Sequence, residues 1–139
     1  MKIGGGSNHR IGLYDAVLIK NNHIDYLKGD VVSAIRLARK NSPADMHIQV
    51  EVRTFDELKS ALTANPDSIL VDNMSPDEIV KAVEIVRDVS NSIPIEASGG
   101  INEKSILEYA QTGVNYISVG ALTHSVKASD LSLRLESHD

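Results

Sequence analysis

Apolar positions along the chain switch repeatedly between two periods. Short runs rich in Val and Ile, "AVLIK" around Leu18, "HIQVEV", "SILVD", "IPIEA" and "YISVG", predict five strands. Between them, "DVVSAIRLARKN", "TFDELKSALTA", "SPDEIVKAVEIVRDV" and "NEKSILEYAQTG" carry apolar residues at helical spacing. Start and stop signals agree with those boundaries. Thr54 and Glu57 stand at capping-box spacing, Ser75 precedes Pro76 at the start of the longest helix, and Gly113 closes the last one. Beyond Ser125 the chain is polar and predicts no element.

Strands alternating with helices make βαβ units, and hence a parallel sheet covered by helices. Nearly continuous apolar strands suit a sheet covered on both faces. A dinucleotide-binding sheet would carry G-x-G-x-x-G between its first strand and helix, and none occurs there. Polar residues instead close successive strands: Lys20, Glu51, Asp72, Ser98 and Gly120. That distribution suits a (β/α) barrel, whose chemistry gathers at the C-terminal mouth. A complete barrel takes eight strands and ~250 residues. The expectation is therefore an α/β chain of the partial-barrel kind. It has about five parallel strands forming a single incomplete domain over residues 1–139.

Those strand ends carry the candidate chemistry. "EASGGI" and "SVGALTHS" place glycines after the last two strands, where backbone N–H groups can approach a phosphate closely. Either glycine turn alone is also an ordinary strand-to-helix connection; two on adjacent strands favour phosphate. Glu51 is a charge inside an apolar strand, which is costly unless it is paired or used. Asp72 ends the next strand, where it can act with Glu51 on a magnesium ion through water or on ribose hydroxyls, or else cap the helix after it. Arg10 presents a planar fork suited to a carboxylate, and Lys20 a compact point charge. His9 and His23 lack zinc-ligand spacing and are read as hydrogen-bonding groups. His124 is read as satisfying a neighbouring backbone group.

Composition narrows the partners. The 139 residues are 42% apolar with no cysteine, which excludes a disulfide framework and a thiolate nucleophile and suits a reducing cytoplasm. No apolar run approaches a membrane span. The net charge of −5 argues against nucleic acid. Yet Lys2, Arg10, Lys20 and Lys28 outnumber Asp15 and Asp25 in the opening stretch, a local cationic site for an anionic small molecule.

Taken in order, "GGGSNHRIGLYDAVLIKNNHI", "VEV", "ILVDNMSP", "IEASGGI" and "TGVNYISVGALTHS" resemble the C-terminal half of the quinolinate phosphoribosyltransferases, from Gly4 to about Leu133. The resemblance implies transfer of phosphoribose from phosphoribosyl pyrophosphate to quinolinate with decarboxylation, giving nicotinate mononucleotide for NAD biosynthesis, with Mg2+ required. It implies catalytic roles for Lys20, Glu51 and Asp72. His9, Arg10 and Lys20 would line the quinolinate carboxylate site, Glu51 and Asp72 would lie near ribose and pyrophosphate, and Ser98, Gly99, Gly100, Gly120 and Ala121 would hold the 5-phosphate.

Two departures from the family stand out. A glutamate is usual where this chain has Gln49, which would weaken one hydrogen-bonding position. Family members also carry an N-terminal α/β sandwich domain and a first barrel strand without counterpart here. The chain would then be a truncated product, half of a split enzyme or an experimental fragment. It would be weakly active alone, acting as a homo-oligomer or with a separate chain carrying the N-terminal half. The alternatives are the molybdenum-transport-associated relative of the family and a non-catalytic, phosphate-binding or assembly remnant.

Overall fold

The five strands form where the apolar runs place them: β1 (Val17–Ile19), β2 (Ile48–Val52), β3 (Ser68–Asp72), β4 (Ile95–Ser98) and β5 (Tyr116–Ile117). A computed structural model describes residues 2–137. In it the strands make one parallel sheet whose spatial order, β1-β2-β3-β4-β5, is the order of the chain. The helices return the chain between strands: α2 (Val31–Asn41), α3 (Phe55–Leu62), α4 (Pro76–Val89) and α5 (Ile106–Ala110). Two short helices are additional, α1 (Asn21–Tyr26) and α6 (Ala121–His124). Neither is long enough to display a helical period in its sequence.

Strand alternation sorts the sheet into two chemically different faces. Ile48, Val50 and Val52 of β2, Ile69 and Val71 of β3, and Ile95 and Ala97 of β4 pack with Ile35, Leu58, Ile79 and Val86 of the helices into one core. The opposite face carries Gln49, Glu51, Ser68, Leu70 and Glu96, all buried. Four of those five are polar. An apolar core on one side and a buried polar surface on the other is how this sheet positions a site.

Helix starts follow the predicted caps with one exception. At α4, Ser75 and Glu78 make the full reciprocal box, the Ser75 N–H donating to Glu78 Oε2 at 2.8 Å. At α3, Thr54 Oγ1 accepts the Glu57 N–H at 3.1 Å, but the Glu57 side chain does not reach back to Thr54. It takes the Arg53 N–H at 2.7 Å and the Arg53 guanidinium at 2.8 Å, and that guanidinium also reaches Asp25 of α1 at 2.9 Å. The carboxylate thus takes a backbone N–H one residue before the cap, and the charged guanidinium of that same residue holds it there. Burial alone would favour a neutral Glu57, but the Arg53 guanidinium and N–H outweigh it and hold the carboxyl below its ordinary value of 4.5. The same contacts hold the Arg53 guanidinium more firmly protonated.

Candidate active site on the polar face of the sheet

Register sets the site residues side by side. Ile19 pairs with Val50, so Lys20, just after β1, follows beside Glu51 of β2. Asp72 pairs directly with Ser98 at the ends of β3 and β4. Glu51 is only 6% exposed and its Oε1 accepts the Asn21 N–H at 3.3 Å, fastening the start of α1. Lys20 is exposed; its N–H donates to His23 Nδ1 at 2.9 Å, which gives His23 the hydrogen-bonding role read from the sequence.

Asp72 does not cap the helix after it, since Ser75 does that. Its Oδ2 accepts from Asn73 Nδ2 at 2.7 Å, and Asn73 holds a left-handed backbone with φ of 56°. The Asn73 N–H donates to Ser98 O at 2.9 Å. A Cβ placed on Gly99 would meet the Asn73 nitrogen at 2.6 Å, and Gly99 itself has φ of 101°. Close backbone approach therefore does require glycine at the end of β4, with Asn73 as the neighbour that demands it. Gly120 and Ala121 begin α6, and a Cβ on Gly120 would lie 3.2 Å from His124 Nε2. His124 binds the Ser125 hydroxyl through Nδ1 at 2.7 Å, a side-chain partner in place of the expected backbone one.

His9 and Arg10 reach the polar face from the opposite direction. The segment around them crosses the sheet and encloses a cleft of about 610 Å3 that both residues line, with Gln49, Glu96 and Ser118 below them. His9 Nε2 lies 2.8 Å from Gln49 Oε1 and 3.5 Å from Glu96 Oε2. Among the described residues neither Arg10 nor Lys20 makes an ion pair, so both remain available to an anion. The predicted residues thus form two groups on one face: His9 and Arg10 at the cleft, and Lys20, Glu51, Asp72, Ser98 and the glycine turns at the strand ends. Lys20, Glu51, Asp72 and Ser98 do not line the cleft.

Sequence reasoning passed over Glu96. The available signal was the one that singled out Glu51, a lone charge within an apolar strand. Gln49 also differs from expectation: it makes two hydrogen bonds, and through its amide donates to Glu96, which a glutamate carboxylate does not do.

Residues 1–134 match the family model described as quinolinate phosphoribosyl transferase, C-terminal domain. The chain belongs to this family. It is 49% identical over 135 residues to a probable nicotinate-nucleotide pyrophosphorylase (carboxylating) of Methanocaldococcus jannaschii, covering 94% of this chain and 47% of that protein. The corresponding protein of Bacillus subtilis is 42% identical over 133 residues, covering 96% and 45%. The solved nicotinate-nucleotide pyrophosphorylase of Francisella tularensis superposes with a TM-score of 0.84 at 45% identity, over 94% of this chain and 45% of that one. The chain therefore spans about half the length of the relatives it matches. The fold expected from the alternating pattern, a parallel α/β sheet of the barrel kind, is the one these members share.

Proposed function

We propose that the chain carries the barrel part of a quinolinate phosphoribosyltransferase site, transferring phosphoribose from phosphoribosyl pyrophosphate to the quinolinate ring nitrogen with loss of pyrophosphate and carbon dioxide. The observation that carries this reading is the single polar face of the sheet, with buried or half-buried carboxylates (Glu51, Asp72) on it and, around it, glycine turns (Gly99–Gly100, Gly120) and cations without an ion pair among the described residues (Arg10, Lys20). The similar proteins named as nicotinate-nucleotide pyrophosphorylases (carboxylating) support quinolinate over the substrate of the molybdenum-associated relative.

His9 and Arg10 at the cleft, and Lys20 at the end of β1, are the groups assigned by family resemblance to the two substrate carboxylates. The turn at Ser98–Gly100 and the start of α6 at Gly120–Ala121 hold the 5-phosphate by backbone N–H groups. As pyrophosphate departs, positive charge develops at ribose C1, and Glu51 and Asp72 are the carboxylates assigned to stabilise it. Mg2+ fits this donor set by its chemistry. It commonly binds one or two carboxylates and substrate phosphates while keeping water ligands. Glu51 and Asp72 each have one oxygen bonded within the protein and a second without a protein partner among the described residues. When bound, the ion neutralises pyrophosphate charge. The partners of the reaction are small-molecule substrates in the cytoplasm, together with a second chain, either another copy or one carrying the N-terminal half.

Amide shift mapping with nicotinate mononucleotide tests the site on this chain directly. Shifts at residues 98–100 and 120–121 are expected; shifts confined elsewhere reject the assignment. Joined to the N-terminal half of the Bacillus subtilis relative, the chain should form nicotinate mononucleotide from quinolinate, phosphoribosyl pyrophosphate and Mg2+. Lys20→Ala should lower that turnover about 100-fold, the effect of removing one positioned charge. Near-unchanged turnover would refute the role of Lys20.

A further inference from the structure

Glu96 is 6% exposed and has no lysine or arginine partner among the described residues. Its charge is met by neutral donors instead. Ser118 Oγ donates to Oε1, and Gln49 Nε2 donates to Oε2 at 2.8 Å. An ionised carboxylate only accepts, so Gln49 must turn its NH2 group toward Glu96. The other end of that amide, Oε1, then faces His9 Nε2 at 2.8 Å and also only accepts. It follows that His9 Nε2 carries a hydrogen, with Glu96 Oε2 a further acceptor 3.5 Å away. Among the described residues His9 Nδ1 has no hydrogen-bond partner.

We propose that Glu96 and Gln49 are positioning residues that hold His9 as its Nε2–H form, leaving Nδ1 as the ring nitrogen that meets a bound carboxylate. A ring that also carries a hydrogen on Nδ1 donates from it to an anion beside Arg10; a bare Nδ1 offers that anion only a lone pair. The other ionisable side chains lining the cleft are Arg10, His47, Glu96 and Tyr116. His47 is occupied with Ser68 Oγ at 2.7 Å. Gln49 is then the link between the two ionisable groups. An amide can accept from a histidine and donate to a carboxylate at once, and so transmits the orientation of Glu96 to His9. The tautomer rests on geometry alone; its use in binding rests on the reading of His9 as a substrate-carboxylate residue.

Two-bond proton–nitrogen correlation spectra of the 15N-labelled chain at about pH 8.5, where imidazoles are neutral, read the tautomer directly. The His9 signals are assigned by comparison with His9→Gln. In the unmodified chain Nε2 should resonate as a protonated nitrogen and Nδ1 as an unprotonated one. Glu96→Gln keeps shape but lets the Gln49 amide turn either way, so His9 should move toward a mixture of tautomers. If Glu96→Gln does not fold, Gln49→Leu is read in its place with the same expectation. In quinolinate titrations Glu96→Gln should raise Kd roughly tenfold, the effect of one misdirected charge-assisted hydrogen bond. An Nδ1–H tautomer in the unmodified chain, or an unchanged His9 spectrum in whichever of Glu96→Gln and Gln49→Leu is read, overturns the proposal. The expected tautomers with quinolinate binding unaffected or absent would leave the relay standing and overturn the carboxylate-site reading.

Discussion

At Gly99 the fold tolerates nothing larger, and the reason lies on a different strand. The position needs φ of 101°, and an added Cβ would press on the Asn73 nitrogen, whose N–H bonds Ser98 O. Gly100 has φ of 65° with open space around it. Gly99→Ala should therefore cost about 2–4 kcal/mol, from backbone strain and overpacking together, and Gly100→Ala about 1 kcal/mol from strain alone. Urea denaturation of the two variants checks this; equal losses would mean that Asn73 yields freely. Residue identity alone made part of this legible. Glycine pairs after a strand announce a close approach, and a glutamate inside "VEV" announces a buried charge. What the linear sequence did not reveal was which neighbour each residue would meet. Asn73 against Gly99 joins the ends of β3 and β4, and Gln49 of β2 lies between Glu96 of β4 and His9 of the segment before β1.

Among elements, the longer helices were legible because amphipathic period and cap agree, as at α4 with Ser75 and Pro76. The six residues of α1 escape such reading, because what holds them is tertiary. Arg53 from the end of β2 ties Asp25 of α1 to Glu57 of α3, and Glu51 accepts the Asn21 N–H. Arg53→Ala should speed amide hydrogen exchange within α1 while changing global stability by about 1 kcal/mol or less, as expected for a largely exposed ion pair. Uniform acceleration across the sheet would contradict this local role. The caps also carry a pH signature. Hydrogen bonds from the Ser75 N–H and hydroxyl lower the Glu78 carboxyl below its ordinary 4.5, and Ser33 does the same for Asp30. A group whose folded value is lowered contributes stability that is present above its unfolded value and lost as pH falls through the folded one. Urea midpoints should fall between about pH 5 and pH 3, and Glu78→Gln should flatten that slope. An unchanged slope would mean that Glu78 has no part in the acid response.

For the molecule as a whole, the sheet has two free edges among the described residues, β1 and β5. Unpaired edges recruit other chains, and Ile11, Leu13, Tyr14 and Tyr116 add exposed apolar surface. Light scattering should give a mass that rises with concentration; a constant monomer mass would show that these edges are protected. The parallel order was legible from alternation alone, because a helical segment separates each strand from the next. The shortness of β5 was not: "YISVG" reads as a full strand, but the ladder keeps only Tyr116 and Ile117 in register with β4. A further property follows from strands lying side by side in the order they are synthesised. Each strand hydrogen-bonds only to its neighbours in sequence, like courses of brick, so a cut or a join between units leaves the strand pairing within each piece intact.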